Sequence, residues 1–513
     1  MIEKICMVLI FVGVAVGVGI YCRRHTGSVD GFILGGRNVG PWLSAFAFGT
    51  SYFSAVIFVG YAGQFGWKYG VAATWIGIGN AILGSLLAWW VLGPRTREMT
   101  HRLGASTMPE FFGARFQSKG LRIAAAAIIF VFLIPYTASV YNGLSRLFGM
   151  AFGLPYEVCV IGMAVITCVY VVLGGYMATV MNDFIQGIVM LLGIVAVIVA
   201  VLVNNGGFTE ALTTLSLIPA EGSEMAGPFV SFFGPNLPDL IGVIVLTSLG
   251  TWGLPQMVQK FYAIKSEDAI HKGTVISTIF ALVVSGGCYF MGGFGRLFSD
   301  QVDVATEGYD AIVPTMLSNL PELLIAIVVI LVLSASMSTL SALVMTSSST
   351  ITLDLLKGNM VKKMNDFQAV FIIRCFIVVF IIISMVIAII QYKYSISFIA
   401  QLMGVSWGAL AGAFLAPFLY SLYWKKATKA ACWTSFLFST VFMLAVISPL
   451  KSVLPALLQS PINAGAFCMV AGLVIVPLVS LCTAKPDRAL VEDAFSCYDE
   501  KVLVRQSQAL GDK

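Results

Sequence analysis

Thirteen apolar runs along the chain are long enough to cross a bilayer. They cover 5–22, 41–62, 70–93, 121–149, 155–174, 183–204, 238–257, 273–297, 322–347, 367–392, 395–423, 430–448 and 463–483. Three of them are not uniformly apolar. The second, from Trp42 to Tyr61, carries no charge, yet its middle reads Gly49-Thr50-Ser51-Tyr52-Phe53-Ser54. Glycine weakens a helix there. Irregular backbone at that depth is tolerated only against protein or a water-filled cavity. The pattern predicts a helix broken around a binding site. The seventh run is interrupted by Gly250-Thr251-Trp252-Gly253-Leu254-Pro255-Gln256, where proline removes a backbone donor. The ninth carries Ser334, Ser338, Ser341 and Ser348 at helical spacing, so hydroxyls line one of its faces.

Paired interruptions at matching positions of two halves point to an inverted-repeat transporter with its site between the breaks. The offset of five runs puts the repeats at runs two to six and seven to eleven. Composition agrees with an all-α polytopic membrane protein. Of 513 residues, 58% are hydrophobic and 11% charged, and the mean hydropathy is +0.92. A soluble chain of this length could not hide so much apolar surface. Met1 to Cys22 reads as a retained first membrane helix, because Arg23 and Arg24 follow its apolar run instead of preceding it. The ten cysteines show no paired spacing and read as reduced; the three histidines sit in basic loops and suggest no metal site.

The net charge of +5 matters less than its placement. Basic residues gather in alternate loops: Arg23, Arg24 and Arg37; Arg95, Arg97, Arg102, Arg115, Lys119 and Arg122; Lys260, Lys265 and Lys272; Lys357, Lys362 and Lys363; Lys425, Lys426 and Lys429; then Lys485, Arg488, Lys501 and Arg505. The intervening loop from Asn204 to Asp239 has none. By the positive-inside rule the N-terminus lies outside and the C-terminus in the cytoplasm, in the plasma membrane.

Sodium is a hard cation and takes several oxygen ligands. The hydroxyls of Ser338 and Thr339, the Ala335 carbonyl, and carbonyls freed near Thr50 and Phe53 would supply them. Small hydroxyl residues also serve close helix packing or bond to their own backbone, and both readings stand on sequence alone. Asp183, opening the sixth run, is either functional or a helix N-terminal acid favoured by the dipole. The solute lining is expected from Ser51, Tyr52, Ser54, Thr251, Trp252 and Gln256, with Tyr136, Tyr141 and Asn142 as weaker candidates. No phosphate loop, nucleophile elbow or paired catalytic carboxylates occur, so neither a pump driven by ATP nor an enzyme is expected. A proton-coupled carrier would need an acid in runs two, seven or nine, and their cores lack one. A transporter-like sensor would need a signalling domain, for which the tail is short.

Phe32-Ile-Leu-Gly-Gly-Arg-Asn-Val-Gly40, Ser44 to Ser54, Gly174-Gly-Tyr with Asp183-Phe-Ile-Gln186, and Ala335 to Ser341 together resemble the sodium:solute symporter family, its bacterial proline and pantothenate permease branches above all. The resemblance extends to about Trp424. It implies a LeuT-type fold: an extra helix and loop (1–37), inverted five-helix repeats (38–204 and 205–424), two further helices (425–484) and a cytoplasmic tail (485–513). It implies sodium-driven uptake of a small organic solute, an amino acid such as proline or a small carboxylate. Pantothenate, a sugar or sialic acid are the alternatives. Na+, the solute and the lipid bilayer are the expected partners; no nucleic acid or obligate protein partner is expected. By position the family's sodium site falls on the carbonyls of Thr50, Phe53 and Ala335 and the hydroxyls of Ser338 and Thr339. A second sodium set would use Asp183, Ser338 and Ser341, but Ala342 stands where members with that site have another serine. Proline permeases have an aspartate where this chain has Tyr52. Their solute-lining tryptophan and tyrosine become Thr247 and Thr251, and their proline matches Pro255.

Overall fold

The structure is a computed structural model that describes residues 2–23, 27–220, 226–318, 320–357, 361, 364–394 and 399–498. Arg24, His25, Lys362, Lys363, Lys501 and Arg505 lie outside the described residues, as does the start of the eleventh run (395–398). The described residues are helical, with only isolated bridges such as Val39 to Ile264 in place of strands.

We number the principal helices α1 (Ile2–Cys22), α2 (Pro41–Tyr52), α3 (Val56–Arg102), α4 (Met108–Arg115), α5 (Lys119–Phe152), α6 (Tyr156–Asn204), α7 (Leu237–Gly253), α8 (Pro255–Tyr262), α9 (Glu267–Gly292), α10 (Glu322–Leu356), α11 (Asp366–Tyr394), α12 (Ile399–Tyr423), α13 (Lys429–Ile447) and α14 (Pro461–Cys482). Ten of them are long and apolar enough to span a membrane, or eleven when α7 and α8, bent by 44°, count as one. The expectation of thirteen separate spans is thus met only in coarser form. The physical reason is that α3 and α6, at 47 and 49 residues, each merge two predicted runs. A straight helix of that length would reach about 70 Å, roughly twice the hydrocarbon core. Each merged run contains a glycine in a backbone conformation that L side chains avoid: Gly70 at φ 61° and Gly175 at φ 59°.

Burial ranks the helices. The apolar stretches of α10 and α12 are 83% and 89% buried, against 17% for α1, so the first two are wrapped by protein and α1 lies at the periphery. Close approach is set by small residues. A Cβ on Gly66 of α3 would overlap the Gly292 carbonyl of α9, and one on Gly292 would overlap the Ala62 carbonyl.

A short helix, α4, lies between runs three and four, capped by Thr107, whose hydroxyl accepts from the Glu110 amide at 3.1 Å. Its aromatic side chains pack into protein. Phe111 and Phe112 are fully buried, with Phe111 4.8 Å from Phe418 and Phe112 5.2 Å from Phe436 between ring centres. A charge cluster fixes this helix to the end of α10. Arg122 donates to Asp354 at 2.7 Å and to Glu110 at 2.8 Å, and Thr107 donates to the second Asp354 oxygen at 2.7 Å. Asp354 is fully buried, so its charge depends on these donors.

Two stability outcomes follow from this packing. Gly66→Ala lowers the melting temperature of the purified protein by the equivalent of about 1–3 kcal/mol, whereas Gly162→Ala, where an added Cβ meets nothing within 4 Å, leaves it unchanged. Arg122→Ala costs about 1–3 kcal/mol by taking the guanidinium away from buried Asp354. Arg102→Ala, which removes the more exposed pair with Asp493, costs less than about 1 kcal/mol. Both comparisons are read by thermal unfolding in detergent.

Candidate functional site

The break in α2 produces the first half of the site. The last helical bond runs from the Phe53 amide to the Gly49 carbonyl at 3.0 Å. Phe53 then leaves the helix at φ −89°, ψ 87°. Ser54 restarts it: its hydroxyl accepts from the Val56 amide at 3.2 Å, and a wider helical turn follows over Val56–Tyr61. The carbonyls just before the break are turned to α10. Ser338 Oγ donates to Thr50 O at 2.9 Å. Thr339 Oγ1 lies 3.4 Å from Thr50 O and 3.3 Å from Ser51 O. Both hydroxyls are also 3.1 Å from Ala335 O, and Ser338 Oγ is 3.1 Å from Ser334 O.

The contacts to Ala335 and Ser334 are ordinary back-bonding within a helix. Those to Thr50 and Ser51 are not, for they join residues almost three hundred positions apart. Thr50, Ser51, Ser338 and Thr339 are all fully buried. Two hydroxyl protons therefore serve four carbonyl oxygens, and the remaining lone pairs converge. A hard cation held at about 2.3–2.6 Å keeps neighbouring ligand oxygens about 3.3–3.7 Å apart, slightly wider than the spacing found. Phe53 comes near through a small cavity that it lines with Ala335, Ser54 and Leu331.

The rest of the hydroxyl stripe behaves differently. Ser341 Oγ donates to its own helix at Ser338 O, 2.8 Å away. The Ser334 and Ser348 hydroxyls are buried without a hydrogen-bond partner among the described residues.

Asp183 departs from expectation. The helix break falls at Gly175, so Asp183 lies about two turns beyond it within α6, fully buried, and not at a helix N-terminus. Its charged neighbour is Lys260, with Nζ 3.5 Å from Oδ2. Lys260 is not the loop residue that charge alternation suggests. It belongs to α8, every residue of which is buried, and its ammonium lies 5.2 Å from the Tyr176 ring centre. Of the expected second sodium set, Ser341 is thus bonded to its own backbone and Asp183 lies beside a lysine.

The aromatic side of the break gathers Tyr52, Tyr136 and a residue missed in the sequence, Trp407. Tyr52 Oη donates to Thr247 O at 2.5 Å, joining the two breaks. Its ring lies 5.4 Å from Trp407, and Tyr136 lies 5.8 Å from the same indole. The Tyr136 hydroxyl faces Ser54 and Trp407 without a well-formed hydrogen bond, and the Trp407 indole N–H and the Ser51 hydroxyl also lack partners among the described residues. The signal for Trp407 was a lone indole among small residues in Ser406-Trp407-Gly408-Ala409. Asn80 was missed too. Its side chain accepts from Thr247 at 2.8 Å and Ser248 at 3.1 Å and donates to Ser285 at 3.0 Å.

Four other predicted lining residues, Thr251, Trp252, Pro255 and Gln256, lie on α7 and α8. Thr251 Oγ1 donates to Gly84 O and Trp252 Nε1 to Leu83 O, both at 2.8 Å, anchoring α7 to α3. Gln256 lines a small cavity with Lys260, Gln259 and Thr346, away from the aromatic cluster. Pro255 begins α8, where a missing amide donor is harmless. Tyr141 is buried without a hydroxyl partner among the described residues, and Asn142 accepts from Tyr156.

A family profile, the sodium:solute symporter family, matches residues 32–438. Among curated proteins the chain is similar to the sodium/proline symporters of Staphylococcus aureus strains JH9 and COL. Each is 30% identical over 434 residues, covering 83% of this chain and 82% of the relative. Among solved structures it is similar to a substrate-bound, outward-open Na+-coupled sialic acid symporter with a novel Na+ site. That likeness has a TM-score of 0.73 at 16% identity and covers 94% of this chain and 99% of that one. A manganese transporter mutant of Eremococcus coleocola follows at a TM-score of 0.51 and 13% identity. These structural likenesses show the fold, which is all-α and LeuT-type. By its profile match and its curated relatives, this multi-pass membrane protein belongs to the sodium:solute symporter family, and sodium-coupled symport is its activity.

Proposed function

We propose that sodium binds between the break of α2 and α10, held by the carbonyls of Thr50, Phe53 and Ala335 and the hydroxyls of Ser338 and Thr339. The observation that carries the assignment is the contact of Ser338 and Thr339 with the freed Thr50 carbonyl. The solute site lies beside it, formed by Ser51, Tyr52, Ser54, Tyr136 and Trp407. Its walls are aromatic with a few unpaired polar ends, which suits a small, compact amphipathic solute. The proline-transporting relatives favour an amino acid such as proline. Tyr52 departs from them, because its hydroxyl is already bonded to Thr247.

The repeats are 38–204 and 205–424, each opening on a broken helix, with the N-terminus outside and the C-terminus in the cytoplasm of a plasma membrane. Import proceeds by alternating access. Sodium binds only where both sides of the break are in register, so it stabilises the state in which Tyr52 and Trp407 face the solute. A membrane potential of ~100 mV supplies ~2.3 kcal/mol per charge. A tenfold sodium gradient adds about 1.4 kcal/mol. One sodium per solute therefore supports accumulation of roughly several-hundred-fold.

Ser338→Ala and Thr339→Ala each raise the sodium concentration for half-maximal stabilisation about 10-fold or more, as expected for a ligand worth at least ~1.5 kcal/mol to an ion. This is read by thermal shift against NaCl, with choline chloride as control. An unchanged midpoint in both variants removes the assignment. For the solute, a screen of proline, other amino acids and short carboxylates identifies compounds that raise the melting temperature only with sodium present. Trp407→Leu loses that shift and keeps the response to sodium alone. Retention of the solute shift would move the pocket elsewhere.

A further inference from the structure

Asp183 and Lys260 form a charged pair with almost no solvent exposure, 1% for the carboxylate side chain and 3% for the lysine. The surroundings are polar. Gln186, one turn beyond Asp183 on α6, and Gln256, one turn before Lys260 on α8, are both 2% exposed. Neither amide has a hydrogen-bond partner among the described residues. On the cavity beside Lys260, α10 contributes Ala342, Met345 and Thr346, and the Thr346 hydroxyl is already bonded to Gln259 at 3.0 Å. A hard cation needs several oxygens, and the one α10 hydroxyl that lines this cavity is already engaged with Gln259. A buried carboxylate nevertheless needs a positive partner.

We propose that Lys260 is a tethered cation that fills a second cation site at Asp183, so that this chain binds a single sodium ion, the one between α2 and α10. The single-ion count rests on the sodium site proposed above; the occupation of the Asp183 site by lysine does not. An ammonium on a flexible stem supplies the charge of an alkali ion without dissociating. Removing the stem vacates the space beside the carboxylate, with the unpartnered amides of Gln186 and Gln256 one turn away on the two helices to help hold an alkali cation there.

The test is equilibrium binding of radioactive sodium to the purified full chain, with melting temperature measured against NaCl or choline chloride. The wild type saturates at one ion per chain. Lys260→Ala saturates at two, and its melting temperature becomes more steeply dependent on sodium. Asp183→Asn with Lys260→Ala returns to one ion, with affinity changed by less than about twofold, the tolerance of independent sites. This neutral double variant also guards against a Lys260→Ala protein that does not fold. Two ions bound by the wild type, a folded Lys260→Ala that binds no additional ion, or loss of sodium binding in the double variant each overturn the proposal. Ser338→Ala with Thr339→Ala in the Lys260→Ala background separates the two sites. If the α2–α10 assignment alone is wrong, those changes spare both ions; if the tethered cation is wrong, no ion depends on Asp183.

Discussion

A helix cannot be interrupted in the middle of a bilayer unless something other than water satisfies the carbonyls it frees. In this protein that constraint falls on Thr50 and Ser51, and Ser338 and Thr339 of α10 meet it. Much of the architecture is arranged around that contact. A helix that brings hydroxyls to the membrane centre must itself be shielded from lipid, and α10 is accordingly among the most enclosed helices. The shielding requires close neighbours, as where Gly193 of α6 admits Leu331 of α10, which an added Cβ would meet at 2.6 Å.

The same constraint explains why the two breaks are mechanically related. Tyr52, the last residue of α2, spends its hydroxyl on Thr247 of α7, and Thr247 in turn donates to Asn80 of α3. On the other flank Phe46 packs 4.9 Å from Phe184 of α6 and 5.2 Å from Phe280 of α9. A cation at the proposed site would therefore act on a helix end already bonded to α7. At the far end of α10, the cluster of Asp354, Arg122 and Glu110 holds the short helix α4 in place. The two ends of α10 thus carry different chemistry: neutral oxygens at mid-membrane and full charges at the cytoplasmic side by the proposed orientation. Neutral oxygens can exchange an ion, whereas a guanidinium locked between two carboxylates holds a conformation.

Much of this was legible in the sequence because membrane constraints leave strong marks. Apolar length gave the helices, and a polar patch with a glycine in an uncharged run marked a break within Gly49–Ser54. The hydroxyl spacing on α10 followed from helical periodicity. What failed was whatever depended on where one helix ends and the next begins. Hydropathy does not register a single left-handed glycine inside an apolar run, so Gly175 was missed and Asp183 was placed at a helix end. Lys260 was counted as a loop charge because α8, the short helix after Pro255, reads as the end of a span. Trp407 was passed over since an indole in a membrane helix usually packs; only its neighbours Tyr52 and Tyr136, brought from distant segments, distinguish it. Thr251 and Trp252 were placed correctly along the chain, but their hydrogen bonds to Gly84 and Leu83 could not be read from one segment alone.

Two different answers to buried negative potential therefore sit within one core. At Thr50 the charge is partial, spread over carbonyl oxygens, and can be met by hydroxyl protons when no ion is present. At Asp183 it is a full charge, and hydroxyls would not suffice; a lysine carried on the opposing helix meets it permanently. A symporter needs at least one cation that arrives and departs, and only the first arrangement can lose its cation at modest cost. The weaker, neutral cluster is therefore the better candidate for coupling, even though Asp183 is the more conspicuous residue in the sequence. Strong electrostatics fixes a structure, and it is the site whose oxygens have an alternative partner that can be emptied on the other side of the membrane.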